Sequence, residues 1–250
     1  MPEPREIVDA TERRVLAARL DHDRNSAICE AILAGAALAI HATDDGTVVA
    51  IDPNGVARLS DPADPEAARA LARLCGAASL ARGPSEAVAA FVAELPGTWS
   101  RLFIGIEMAW LARPDLRAVA GAMRCSAELA RSFDDWRAAF IAEVFRDGGT
   151  PPAVSPDRLF VWIADDQPRA MAGLLPQGPT GARIVTVYTP PSERGRGYAS
   201  ALTAALGDEA RREGRGVTLD VAVDDPWARR AYERAGFRAV GENAIYQRRR

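Results

Sequence analysis

Apolar positions recur at helical spacing over residues 5–20, where Ile7, Val8, Val15, Leu16 and Leu20 form a stripe. They do so again over 24–35, where Asp23 offers an N-cap and Ala27, Ile28, Ala31 and Ile32 repeat. The period then drops to two. Ala36–His41, the turn Asp44-Asp45-Gly46 and Thr47–Ile51 predict a β-hairpin, with a further turn at Asp52-Pro53-Asn54-Gly55. Asp61 to Asp64 caps a helix over 65–75, and Pro84-Ser85-Glu86 opens another over 85–95 that Pro96-Gly97 stops. Arg101–Leu111 reads as a strand with Leu102, Ile104, Ile106 and Met108 on one face.

The pattern pauses at Arg113-Pro114, which places a domain boundary there and divides the chain into 1–112 and 113–250. A strand is expected over 118–125. A helix over 127–146 follows, with Leu129, Phe133, Trp136, Phe140 and Val144 as its apolar face. After a loop from Gly148 to Pro156, the segments Leu159–Ala164, Asp165-Asp166-Gln167 and Arg169–Leu175 form a second hairpin. Arg183–Tyr188 is a strand, ended by Thr189-Pro190-Pro191 because two prolines cannot donate ladder hydrogen bonds. A helix starts near Gly197 with Ala199, Leu202, Ala205 and Leu206 inward, and Leu219–Val223 is the next strand. In each half a helix precedes a hairpin whose turn holds an Asp-Asp pair, and the half ends in helix, glycine turn and strand. Duplication and a coincidence of common α/β patterns both remain open. The fold class is α/β, with mixed sheets flanked by helices.

Composition narrows the function. Of 250 residues, 48% are hydrophobic and 26% charged, the balance of a soluble globular chain. No run of 18 apolar residues predicts a membrane span, and the acidic, proline-containing start does not read as a secretory signal. A net charge of -3 argues against a nucleic-acid partner. All 31 basic side chains are arginine, so no lysine can serve as nucleophile or Schiff base. Cys29, Cys75 and Cys125 lack CxxC spacing, and His22 and His41 stand alone, so no metal site is expected. Three scattered cysteines suit a reducing, cytoplasmic setting and buried, inert thiols.

The informative stretch joins a strand, Ser192-Glu193-Arg194-Gly195-Arg196-Gly197-Tyr198-Ala199, and a helix. First-turn N–H groups of a helix lack internal partners, and the dipole is positive there. Glycines admit positive φ and close approach of a ligand. The combination is a main-chain phosphate cradle, and Arg194 and Arg196 add fixed positive charge beside it. A Walker loop would need GK[ST], and a dinucleotide fingerprint GxGxxG; neither is present. An arginine/glycine RNA-binding tract would need repetition in a disordered segment. A purely structural turn stays open.

Arg194-Gly195-Arg196-Gly197-Tyr198-Ala199 resembles the R/Q-x-x-G-x-G/A motif of the GNAT N-acyltransferase superfamily. Asp225-Pro226-Trp227-Ala228-Arg229-Arg230-Ala231-Tyr232-Glu233-Arg234-Ala235-Gly236-Phe237 resembles the second signature, N-x-x-A-x-x-x-Y-x-x-x-G-F. The clear likeness covers residues 155–246, with a weaker one reaching back to 115.

The resemblance implies acetyl-CoA, or another acyl-CoA, as donor, and no metal. It implies that the amides of Arg194, Gly195, Arg196, Gly197, Tyr198 and Ala199 hold the pyrophosphate. Pantetheine would run in a gap between 183–188 and 219–223, along Val185, Val187 and Tyr188. An N–H near Val187 or Tyr188 would face the oxyanion. Tyr232 matches the tyrosine that protonates the departing thiolate. Asp225 stands where the family has a CoA-contacting Asn, and a carboxylate accepts but does not donate. The strand before the cradle carries Thr186 and no Glu, which leaves the base open; Asp220 or Glu143 through water are candidates. The layout resembles the tandem branch of the superfamily akin to glycine-N-acyltransferase-like proteins, whose N-terminal half is degenerate. Here the acidic Ser60-Asp61-Pro62-Ala63-Asp64-Pro65 stands where a cradle would be. The function so implied is N-acylation of a primary amine on a small molecule or peptide by direct transfer in a ternary complex. The alternative is a non-catalytic acyl-CoA-binding module. No nucleic acid or membrane partner is implied, and a homodimer is compatible.

Overall fold

The computed structural model describes residues 3–20, 25, 28–29, 32, 39–61, 63–111, 119–125, 133–144, 153–177 and 180–249. The strands are β1 (Arg5–Glu6), β2 (Ala39–Ala42), β3 (Val48–Ile51), β4 (Val56–Leu59), β5 (Leu80–Pro84), β6 (Trp99–Trp110), β7 (Ala122–Cys125), β8 (Leu159–Ala164), β9 (Gln167–Gln177), β10 (Gly181–Tyr188), β11 (Gly216–Ala222) and β12 (Phe237–Arg248). The helices are α1 (Ala10–Arg19), α2 (Pro65–Ala72), α3 (Ser85–Ala93), α4 (Asp134–Val144), α5 (Tyr198–Arg212) and α6 (Pro226–Arg234). The chain forms two compact units, one of residues 1–105, 177–180 and 241–250, the other of 106–176 and 181–240.

In the first unit the strands follow the order β1-β2-β3-β4-β5-β12. β2, β3 and β4 are antiparallel, β5 runs parallel to β4 across the α2 crossover, and β12 returns antiparallel to β5. Alternation sorts the side chains onto two faces. Val49, Ile51, Ala57, Leu59 and Ala81 pack with α2 and α3, while Ile40, Ala42, Val48 and Ala50 pack with Ile7 and Ala17 on the other side. The helix expected over 5–20 is shorter. The Asp9 carboxylate accepts from the amides of Thr11 and Glu12, both at 2.9 Å, and so starts α1. Arg5 and Glu6 instead pair with Ala42 and His41, which leaves Val8 and Val15 of the expected stripe exposed. The helix expected over 24–35 falls largely outside the described residues, as do Leu129 and the start of the 127–146 helix.

In the second unit the order is β6-β11-β10-β9-β8-β7. β7, β8 and β9 are antiparallel, and β11 is parallel to β10 across the α5 crossover. Asp165 and Asp166 both take positive φ, 50° and 56°, as the tight β8–β9 turn requires. Met108, Trp110, Ile184, Val217, Leu219 and Val221 face a core shared with α5 and α6. Leu159, Val161, Met171 and Tyr188 face Phe133, Trp136 and Phe140 at α4. The α5 side closes tightly: a Cβ on Gly207 would lie 2.7 Å from the Trp110 ring, whose Nε1 donates to the Ala235 carbonyl at 2.9 Å. Each unit thus repeats one sequence of elements: a three-strand run, a crossover helix, a parallel strand and a second helix.

Candidate active site

β10 and β11 begin as a regular parallel pair and then separate. Their register is Gly181↔Gly216, Ala182↔Val217 and Arg183↔Thr218, while β10 continues to Tyr188 and β11 to Ala222. Side-chain placement locates the cause. Ile184 and Val187 both pack on the α5 side. Val185 lies beside Val154, and Tyr188 joins the α4 side. Strict alternation cannot put 184 and 187 on one face, so Thr186 is an inserted residue, a β-bulge. Its φ is +53°, a left-handed conformation that a β-branched residue takes at a cost of roughly 1–3 kcal/mol. Thr186 is only 6% exposed, and its Oγ1 has no hydrogen-bond partner among the described residues. A buried hydroxyl left unpaired costs about 1–3 kcal/mol more.

Past the bulge, the chain turns through Pro190–Gly197 into α5. Gly195 and Gly197 have φ of 79° and 86°, and a Cβ on Gly195 would meet nothing within 4 Å. Gly197 caps α5 without a side-chain hydrogen bond. The first helical bond runs from Ala201 N–H to the Gly197 carbonyl at 2.9 Å, so the amides of Tyr198, Ala199 and Ser200 have no acceptor within the helix. A four-turn helix adds its dipole at that end. The turn is open on the glycine side, and its amides form a cradle whose donors would fit a pyrophosphate.

The two arginines of the turn do not stand free beside it. Arg194 donates to both Glu143 oxygens at 2.9 and 2.7 Å and through Nε to the Thr189 carbonyl, with its guanidinium 5.8 Å above the Tyr188 ring. Arg196 pairs with Glu193 at 3.3 Å, and Glu193 is tied at 3.0 Å to Arg169 of β9. The turn is therefore braced against α4 and β9, and its net positive charge comes from the helix end more than from the side chains.

Tyr232 lies on α6, 7% exposed, its ring edge-on to Phe237 at 6.3 Å. Burial pushes its phenol well above the usual tyrosine range, and the Asp225 carboxylate acts in the same direction. The group is a neutral O–H throughout the working pH range. Asp225 itself caps α6, accepting from the Ala228 amide at 2.9 Å. Thus the structure places Val185, Val187 and Tyr188 on β10, Arg194–Ala199 in the turn and first residues of α5, and Tyr232 on α6, and it uses the Asp225 carboxylate as a helix cap.

A charged cluster went unseen in the sequence. Arg183, at the last paired position, bonds Asp220 of β11 and lies 3.8 Å from Glu107 of β6. All three are largely buried, with side chains 13%, 15% and 7% exposed. Met108 and Trp110 face α5, as do Leu219 and Val221, so Glu107 and Asp220 face the α4 side. The available signal was a lone Glu inside the apolar run Ile104–Trp110. Among the described residues, no group of His, Cys, Asp and Glu is arranged to hold a metal.

Residues 122–237 match the sequence model described as the acetyltransferase (GNAT) family. That stretch is similar to the GNAT acetyltransferase family, and the similarity implies acyl-CoA-dependent acyl transfer with acetyl-CoA as co-substrate. The fold agrees with solved structures over nearly the whole chain. A Drosophila protein shares 12% identity at a TM-score of 0.60, covering 100% of this chain and 99% of its own. A GNAT-family acetyltransferase from Colwellia psychrerythraea shares 12% at 0.56, covering 99% and 100%. A GCN5-related N-acetyltransferase-like protein from Streptococcus suis shares 17% at 0.55, covering 96% and 100%. No curated protein matches the chain. No described helix is long and apolar enough to cross a membrane.

Proposed function

We propose that the chain is an N-acyltransferase that moves the acetyl group of acetyl-CoA to a primary amine of a small molecule or peptide, directly, within a ternary complex. One observation carries the reading: the bulge at Thr186 opens β10 from β11 immediately before a glycine cradle at the α5 N-terminus. In this reading the amides of residues 194–199 receive the pyrophosphate, and pantetheine extends the sheet along Val185, Val187 and Tyr188. The Val187 N–H faces the carbonyl oxygen as it gains charge. Tyr232, neutral and buried, gives its proton to the leaving sulfur. Asp225 acts through the α6 cap rather than by touching CoA.

The repeated order of elements supports an N-terminal half that is a copy without a cradle: Asp64 fills the N-cap of α2, accepting from Glu66 and Ala67 at 2.9 Å, where an anion would have to bind. An N-acetylation assay over a panel of primary amines tests the proposal. Intersecting initial-rate patterns are expected. Inactivity across the panel with intact CoA binding would instead favour a non-catalytic acyl-CoA-binding module.

A further inference from the structure

We infer that the Thr186 hydroxyl is a second donor to the acyl oxygen of the bound thioester, acting beside the Val187 N–H and selecting acyl thioesters over CoA compounds that lack a carbonyl. This rests on the acyl-CoA reading and goes further, since it assigns a side chain to acyl recognition.

Three features meet in this residue. Its Oγ1 is buried and without a partner among the described residues, although valine would fill the same space with no polar group to satisfy. Its backbone is left-handed, although glycine would take that conformation without strain. It occupies the inserted position between Val185 on one face and Val187 on the other. A residue that is doubly unfavourable in the free protein stands where the paired strands open. The main-chain N–H that follows it, that of Val187, is the one facing the carbonyl in the proposed complex. A threonine hydroxyl donates one hydrogen bond and accepts up to two, and a carbonyl oxygen gaining negative charge is the acceptor that a lone donor there would serve.

The test uses Thr186→Val, which keeps shape and branching and removes only the hydroxyl, with Thr186→Ser as the variant that restores it. Each protein is titrated calorimetrically with acetyl-CoA and with S-ethyl-CoA, in which a methylene replaces the carbonyl. The wild type and Thr186→Ser are expected to bind acetyl-CoA more tightly than the thioether, with the hydroxyl contributing roughly 3–10-fold of that preference, the range of one net hydrogen bond. Thr186→Val is expected to lose that share and keep only the preference supplied by the Val187 N–H, and to melt at a higher temperature than the wild type, because an unpaired buried hydroxyl is gone. Retention of the full wild-type preference by Thr186→Val, or equal binding of the two compounds by the wild type, overturns the inference while the acyl-CoA reading stands. Failure of every variant to bind either compound removes that reading itself, and this inference with it.

Discussion

The Ser200 hydroxyl donates to the Ala231 carbonyl at 2.9 Å, joining the first turn of the cradle helix to the turn before Tyr232. The bond sits in a buried position and fixes how the cradle and the proposed proton donor face each other. Ser200→Ala keeps every cradle amide and loses this tie. Removing it should lower stability by about 1 kcal/mol. The turnover number should fall several-fold while acetyl-CoA affinity changes little. Initial rates and calorimetry on the same preparation check the split.

Tyr232→Phe should lower turnover by about 10²-fold, the lower range for losing a positioned acid, with acetyl-CoA binding preserved. The raised phenol also makes a stability prediction. An acid held neutral in the fold ionises more readily in the unfolded chain, so the native state loses ground as pH rises past the ordinary value of 10.0. Denaturant midpoints between pH 8 and pH 11 (roughly, the range bracketing that value) should fall for the wild type and fall less for Tyr232→Phe. Parallel curves would show that the buried phenol does not control alkaline stability.

Glu143 neutralises Arg194 across an ion pair that is nearly half exposed on both sides. Such a pair adds little stability, so Glu143→Gln should leave the melting temperature almost unchanged. It should tighten acetyl-CoA binding by roughly 2–5-fold at low salt, an advantage that fades as ions screen the freed charge. Arg194→Ala should weaken binding. Titrations at two salt concentrations distinguish this from a purely structural clamp, for which both variants would weaken binding.

His41 tests the first unit separately. It is 6% exposed, its Nδ1 has no partner among the described residues, and burial lowers its pKa from 6.5 against a smaller opposing pull from Glu6. A base with a depressed native pKa takes up its proton first in the unfolded chain. Its effect is absent well above 6.5 and destabilises the fold as pH drops below that value. Chemical denaturation should therefore show a loss between about pH 7 and pH 5, reduced in His41→Gln.

Much of the cradle was legible because its requirements are local. Two glycines, two prolines and a helix-forming run over 198–212 specify strand, turn and helix within a short span. The Tyr232 helix was legible for the same reason, with Pro226 at its start and Gly236 at its end. Thr186 was readable as a strand residue but not as a bulge, since nothing in Ile184–Tyr188 breaks the alternation. That insertion is visible only once Val187 and Tyr188 are seen on their two faces. Glu107 was missed because the strand was read by its even positions, and its partners lie 76 and 113 residues away at Arg183 and Asp220. Near the N-terminus, a helical period over 5–20 concealed β1, because Arg5 and Glu6 are set by pairing with β2 and local spacing carries no trace of that partner.

The central claim, that the opening before α5 holds an acyl-CoA, is tested most directly by titrating acetyl-CoA into the wild type and Gly197→Asp. A side chain at Gly197 must take a left-handed φ of 86° with its Cβ 3.2 Å from Val119, and aspartate also places negative charge in an anion site. Saturable micromolar binding by the wild type is predicted, weakened by more than about 10-fold in a folded variant. No binding by the wild type, or equal affinity in the two proteins, would contradict it.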